Sequence, residues 1–336
     1  MDHNWNIIGH EWAVQYLQRT LQNGRGTHAY VIAGLPNVGK TLLATRLAQA
    51  LNCEQPNAPC GDCRACRRIE KGSFPDVRST GLQAQAAAQK PSESVKQRLG
   101  IDAIREWQAD IALRPYEGRR RVFILHNAET LTDQAANAML KTLEEPPPYA
   151  TLILLANGTG DLLPTIASRC QALKLRPVPR HLIENALIER WNIAPADAHT
   201  VAAWSGGRMG WAVTVAQSPE LLAARSEHLD VLLDIGHQSL IDRFKWAEKI
   251  GKGDKETVHA TLELWQLWWR DVLLTAAGTP AGIINVDRAD ELQALAKIPL
   301  PKIHAVLCSL GEATQQIKEN VSPQLALEGV LLQLPT

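Results

Sequence analysis

One octapeptide constrains the fold of this chain more than any other feature: Gly34-Leu35-Pro36-Asn37-Val38-Gly39-Lys40-Thr41 has the spacing G-x-x-x-x-G-K-[ST]. In that pattern the glycines let backbone N–H groups turn toward nucleotide phosphates, the lysine balances phosphate charge, and the hydroxyl ligates magnesium. Such a loop hangs between a strand and a helix, and both are legible here. Ala29-Tyr30-Val31-Ile32-Ala33 is an apolar run of strand length, and Thr41-Leu42-Leu43-Ala44-Thr45-Arg46-Leu47-Ala48 has the composition of a helix. A glycine-rich turn with a solvated lysine is the plainer alternative, but it gives no reason for this flanking order. The residues read as holding a nucleotide are Gly34, Pro36, Asn37, Val38, Gly39, Lys40, Thr41 and Leu42.

From His10 to about Leu21 apolar residues recur at helical spacing, and Asn23-Gly24-Arg25-Gly26 ends that helix. Further strands are expected at Val122 to Leu125, Thr151 to Ala156 and Gln171 to Leu175, with helices at Ile101 to Leu113 and Thr132 to Leu143. Alternation of this kind predicts a mostly parallel sheet. Thr80 to about Gly100 is rich in Gln, Ala and Ser without a clear period and reads as a mobile surface insertion. After Arg176-Pro177-Val178-Pro179 strand signals stop, and helical segments run from His181 onward, with breaks near Ala194-Pro195, Ser205-Gly206-Gly207 and Pro299-Leu300-Pro301. A chain of 336 residues is long for one core and favours two or three domains. The expected class is α/β plus all-α: a P-loop parallel-sheet domain at 1–177, a small helical domain at 178–217 and a helical C-terminal domain at 218–336.

A hydrolysing P-loop enzyme also needs acids at the end of a neighbouring strand, to hold magnesium and to orient water. Val122-Phe123-Ile124-Leu125 runs instead into His126-Asn127-Ala128-Glu129. The two positions after the strand carry no carboxylate, and Glu129, further along, reads as a solvated or capping glutamate. The expectation is ATP, with magnesium, bound with little or no hydrolysis. Nothing in the sequence pairs a nucleophile with a base, so polymerase or nuclease chemistry is not expected within this chain.

Cys53, Cys60, Cys63 and Cys66 form C-x6-C-x2-C-x2-C, four thiolates close enough to close around one tetrahedral zinc. With sulfur in all four positions no site is left for water, so Zn2+ would be structural. Disulfides or unrelated buried thiols are the alternative, and a reducing compartment argues against the first. A cytoplasmic location is expected: Met1-Asp2-His3-Asn4-Trp5-Asn6 does not resemble a signal peptide, and no later stretch is apolar enough to span a bilayer, so no membrane partner is expected. Thirty-five basic residues balance thirty-five acidic ones, without the excess that gives autonomous nucleic-acid binders their affinity. Any DNA contact is therefore expected to be shared.

Several motifs in order resemble the bacterial clamp-loader subunits of DNA polymerase III, members of the AAA+ class. They are Ile7-Ile8-Gly9-His10, then His28-Ala29-Tyr30 before the P-loop, the four cysteines, Ala138-Met139-Leu140-Lys141-Thr142-Leu143-Glu144-Glu145-Pro146-Pro147, and Ser168-Arg169-Cys170. The resemblance implies an AAA+ nucleotide-binding domain with a zinc-binding insertion at about 53–66, a helical lid and a helical collar. It implies that the Leu-Glu-Glu-Pro-Pro and Ser-Arg-Cys motifs face a neighbouring subunit's nucleotide, with Arg169 as a trans arginine finger. By the same resemblance Asn157 stands at about the place of a sensor residue. Two departures separate the chain from the family's motor subunits. These carry Asp-Glu where His126-Asn127 stands, and a nucleotide-sensing arginine at the position of Gly210, within Ser205-Gly206-Gly207-Arg208-Met209-Gly210.

The implied function is that of a stator-type subunit, part of the polymerase holoenzyme. Its partners would be the motor subunits and the clamp-opening subunit in a hetero-pentamer, and through them the sliding clamp and primed DNA. A motor ATPase of the same family and an AAA+ adaptor outside replication are the competing readings. His126-Asn127 speaks against the first, and the partner-facing motifs against the second. In the C-terminal domain Leu262, Trp265 and Trp269 recur on one helical face, a stripe that reads as core before it reads as ligand site.

Overall fold

The computed structural model describes residues 5–24, 26–81, 98–253, 255–279, 282–319 and 321–335. They form two units, one of residues 1–183 with 207–211, the other of residues 184–206 with 212–336. Most of the stretch expected as a surface insertion, residues 82–97, lies outside the described residues.

The first unit is built on a five-stranded parallel sheet. In chain order it contains α1 (Glu11–Gln22), β1 (Ala29–Ala33), α2 (Lys40–Asn52), α3 (Arg64–Glu70), β2 (Val77–Thr80), α4 (Ile101–Ile111), β3 (Arg121–Leu125), α5 (Asp133–Glu144), β4 (Ala150–Ala156), α6 (Pro164–Ala167) and β5 (Gln171–Lys174). The strand order is β2-β3-β4-β1-β5, with every pair parallel. β1, β3 and β4 are buried along their whole length, as unbroken apolar runs should be when helices cover both faces. Their alternate residues feed two cores. Tyr30, Ile32, Val122, Ile124 and Ile153 meet Leu43 and Leu47 of α2 on one face. Val31, Phe123, Leu125 and Leu152 meet Met139 and Leu143 of α5 on the other.

β2 escaped the sequence reading. Val77-Arg78-Ser79-Thr80 is a short edge strand with two exposed residues, so it has neither the length nor the apolar content that announces a strand. The other strands and helices expected in this unit are present with ends moved by a residue or two, except that the helix after the glycine-rich loop runs four residues further, to Asn52.

The second unit is helical. The breaks expected from Pro195 and from the Pro299 segment are helix starts, at α8 (Pro195–Trp204) and α14 (Leu300–Lys318) in a numbering that counts α7 (Arg180–Trp191), whose first four residues belong to the first unit, α9 (Met209–Ala216), whose first three do, α10 (Pro219–His237), α11 (Leu240–Gly251), α12 (Lys255–Ala276) and α13 (Ala289–Leu295). α15 (Pro323–Gln333) follows. Leu262, Trp265 and Trp269 all lie in the core of this unit, with Trp265 fully buried and stacked on Trp246 at 5.2 Å. The tryptophan stripe is therefore packing. No helix among the described residues is long and apolar enough to cross a membrane.

Candidate functional site

The sheet delivers three loops to one edge. β1 runs into the glycine-rich loop, β3 into His126 and β4 into Asn157. Because these strands are parallel, with Ala33 beside Ala156 and Leu125 beside Leu154, the three loops emerge together. In open α/β sheets the crevice beyond the carboxyl ends is where ligands sit. Here it is a cavity of ≈ 560 Å³ lined by Pro36, Asn37, Lys40, Thr41, Ser79, Thr80, His126, Asn127 and Asn157, among others.

The loop has the conformation that phosphate binding needs. Asn37 (φ 61°) and Gly39 (φ 114°) hold left-handed backbone, which turns successive N–H groups toward one point. Gly39 adopts that conformation without strain because it has no Cβ. Two contacts from outside hold the loop in place. Buried His10 places its Nε2 3.1 Å from the Val38 carbonyl oxygen, and the Gly210 N–H donates to the Asn37 carbonyl at 2.8 Å. A Cβ on Gly210 would stand 3.0 Å from that oxygen, so this close approach favours glycine where the motor subunits are expected to carry arginine.

Lys40 Nζ donates to the carbonyl oxygens of Gly34 at 2.5 Å and Leu35 at 3.1 Å, and to Asn157 Oδ1 at 3.3 Å. Burial holds its pKa below the ordinary lysine value, against the upward pull of Glu129. Asn157 Nδ2 in turn donates to Glu129 Oε1 at 2.8 Å. This corrects the reading of Glu129 as a solvated or capping residue. Asn127 (φ 54°) turns the chain into a short 3-10 helix, Ala128–Thr130, and that turn brings the carboxylate back beside Asn157. Glu129 Oε2 is buried without a hydrogen-bond partner.

His126 Nε2 lies 2.8 Å from Ser79 Oγ, and burial lowers the His126 pKa. No carboxylate belongs to the described residues that line the cavity. Ser79 and Thr80 left no trace in the sequence as site residues, because the edge strand that carries them was not visible. His10 did leave one, within Ile7-Ile8-Gly9-His10, although its role as a prop for the P-loop depends on a contact across 28 residues.

Arg169 lies away from these groups, at the end of α6. Its Nη2 pairs with Glu144 Oε1 at 2.6 Å, and its Nη1 donates to the Thr165 carbonyl at 2.9 Å. The two side chains are 37 % and 51 % exposed. The fold thus joins the Leu-Glu-Glu-Pro-Pro and Ser-Arg-Cys motifs into one surface feature.

The four cysteines meet as expected. Their Sγ atoms all lie within 4.8 Å of one another, and Cys60 and Cys66 are 4.0 Å apart at sulfur. Tetrahedral Zn–S bonds of about 2.3 Å set sulfurs roughly 3.8 Å apart, so the cluster fits a zinc ion. Backbone N–H groups point at the sulfurs: Cys63 N donates to Cys60 Sγ at 3.3 Å, and Cys66 N to Cys63 Sγ at 3.4 Å, where Cys63 caps α3. Burial pushes the Cys63 thiol up, but donation from the Glu54 and Cys66 backbone and from neighbouring thiols outweighs it and brings the pKa down to about 7.

Two family models match the chain. One, described as DNA polymerase III, delta subunit, covers residues 9–179; the other, described as DNA polymerase III, delta subunit, C terminal, covers residues 219–336. The chain is similar to DNA polymerase III subunit delta' of Bacillus subtilis (strain 168), 29% identical over 333 residues, which is 96% of this chain and 94% of the relative. It is similar to the delta' subunit of Escherichia coli (strain K12), 37% identical over 165 residues, 48% of this chain and 46% of the relative. It is also similar to the tau subunit of that organism, 34% identical over 190 residues, 55% of this chain but 28% of the relative.

Proposed function

This chain belongs to the DNA polymerase III delta-subunit family, and we propose that it serves as the delta prime type of clamp-loader subunit, a nucleotide-binding but non-hydrolysing stator. In this reading it assembles with motor subunits and a clamp-opening subunit and supplies Arg169 to a neighbour's nucleotide while the sliding clamp is placed on primed DNA. The observation that carries it is the end of β3, where His126 and Asn127 face the phosphate cavity and no described residue lining it offers a carboxylate.

The chain's own residues divide the work. The N–H groups of residues 37–41 at the start of α2, together with Lys40, hold phosphate, and Asn157 Oδ1 positions Lys40 by accepting a hydrogen bond from its Nζ. Asn127 carries no base and His126 Nε2 is engaged with Ser79 Oγ, so the carboxylates that would hold magnesium and orient the attacking water are missing, which leaves binding without turnover. Arg169 sits at the surface in a pair it can give up at little cost, since exposed ion pairs contribute about 0–1 kcal/mol. An arginine delivered in trans to a transferring phosphoryl group raises turnover by about 10³ to 10⁵ fold. The cysteine cluster would hold a structural Zn2+ that supplies folding stability and no chemistry. The division into an AAA+ domain at 1–177, a lid at 178–217 and a collar at 218–336 belongs to the same proposal.

The motor-ATPase alternative needs an acid in the cavity. Glu129 is the acid whose charge acts on Lys40, but one carboxylate oxygen is engaged by Asn157 and the other is sealed from solvent. Measuring ATP affinity and turnover on the purified chain separates the readings. The expected result is binding that disappears in Lys40→Ala, with negligible turnover in either protein; robust turnover lost in Lys40→Ala would establish the motor. Reconstitution with motor subunits tests the assembly, with clamp loading expected only when this chain is present.

A further inference from the structure

We infer that the phosphate cavity takes its nucleoside polyphosphate without magnesium, as the metal-free anion. The inference rests on the reading that this cavity binds nucleotide, and it adds the ionic form of the ligand. Magnesium demands near-octahedral oxygen coordination, and proteins hold it beside nucleotide phosphates through one or two carboxylates. The described residues at this cavity offer the Thr41, Ser79 and Thr80 hydroxyls, the Asn127 and Asn157 amides and the His126 imidazole, and no carboxylate. His126 stands where the metal-ordering acid is needed, and its Nε2 is already 2.8 Å from Ser79 Oγ. A nitrogen ligand tied to a hydroxyl is a poor site for a hard cation. Glu129 does not line the cavity, and its Oε2 is buried.

The same substitution that removes a metal ligand also removes a repulsion. In a site with an acidic pair, a metal-free triphosphate meets like charge, and the cation is needed to neutralise it. Here the nearest ionised group on the cavity wall is Lys40, and the first turn of the 13-residue helix α2 adds its own positive end. The cradle is also held open without help from an ion. Gly210 N–H fixes the Asn37 carbonyl, and His10 meets the Val38 carbonyl. Phosphate therefore finds oriented donors and a cation already in place.

Calorimetric titration of the full chain with ATP, once in excess magnesium and once in EDTA, tests this. The expected dissociation constants agree within about threefold, and His126→Asp is expected to bind at least about tenfold more tightly with magnesium than with EDTA, since a carboxylate restores the missing ligand. Wild-type binding about tenfold or more tighter with magnesium would overturn the inference while leaving the nucleotide-binding reading intact. Equal affinities of His126→Asp in the two buffers would overturn the role given to this position. If ATP does not bind the wild-type chain in either buffer, the nucleotide-binding reading itself falls, and this inference with it.

Discussion

Asp76 is 1 % exposed and accepts hydrogen bonds from the backbone N–H groups of Tyr116, Glu117 and Gly118 at 2.7, 2.9 and 2.7 Å, with Arg121 Nε 3.8 Å away. One carboxylate thus holds residues 116–118 of the turn that leads into β3, and Asn52 Oδ1 holds the next two by accepting from the Arg119 and Arg120 N–H groups at 2.9 and 3.0 Å. Asp76→Ala leaves three part-buried backbone donors and the buried Arg121 guanidinium without it, so a loss of about 2 kcal/mol is expected in urea denaturation. His10 gives a pH dependence. Burial keeps its pKa below 6.5, although the Val38 carbonyl and Glu11 pull the other way. The unfolded chain therefore binds more protons than the folded one between the lowered pKa and about 6.5. Stability from this group is complete above about pH 6.5 and falls as the pH drops through that window, by at most about 1.4 kcal/mol per unit. A melting-temperature series from pH 5 to 7.5 should show the decline, and His10→Gln should flatten part of it, leaving the share of His126, whose pKa burial also lowers.

Among the elements, α3 depends most on what surrounds it. A helix of 7 residues has too few internal bonds to persist alone. It begins on a capping cysteine whose sulfur accepts the Cys66 N–H, and Gln49 of α2 donates to the Cys66 carbonyl at 2.9 Å. A zinc ion on the four sulfurs would fix the same turn from outside. Metal analysis of protein prepared without added zinc is expected to give about one zinc per chain, and Cys63→Ser to lower both this content and the melting temperature. Absence of zinc from the wild-type protein would refute the assignment. β2 carries a different lesson. A four-residue edge strand gains its place from pairing with β3, with Ser79 beside Ile124 and His126 N–H donating to the Thr80 carbonyl at 2.8 Å. Its own residues do not signal it, and the site residues it holds stayed hidden for that reason.

At the level of the whole molecule, the proposed contribution to catalysis lies on the surface and not in the cavity. Arg169→Ala should change the stability of the isolated chain by no more than about 0.5 kcal/mol, because its partner Glu144 is half exposed. Nucleotide binding by this chain should be unaffected, since Arg169 is not among the residues lining the cavity. The expected loss appears only in the reconstituted clamp loader, as a fall in clamp-stimulated ATPase rate. An unchanged rate would remove the finger from the mechanism.

The P-loop, the four cysteines and the central strands were fixed by local order, because each needs only neighbours in sequence: an apolar run, a glycine at a stated spacing, a pair of thiols with two residues between them. The absence of acids after β3 was likewise plain from His126 and Asn127. What the tertiary structure alone decided are the meetings across distance. Glu129 reaches Asn157 and Asn157 reaches Lys40 only because parallel strands end at one edge, and Gly210 reaches Asn37 across most of the chain's first two-thirds. Such contacts depend on the register of β1, β3 and β4, which no single segment encodes. Charge and spacing named the phosphate loop; packing determined which polar groups share its cavity and which carboxylate is kept from it.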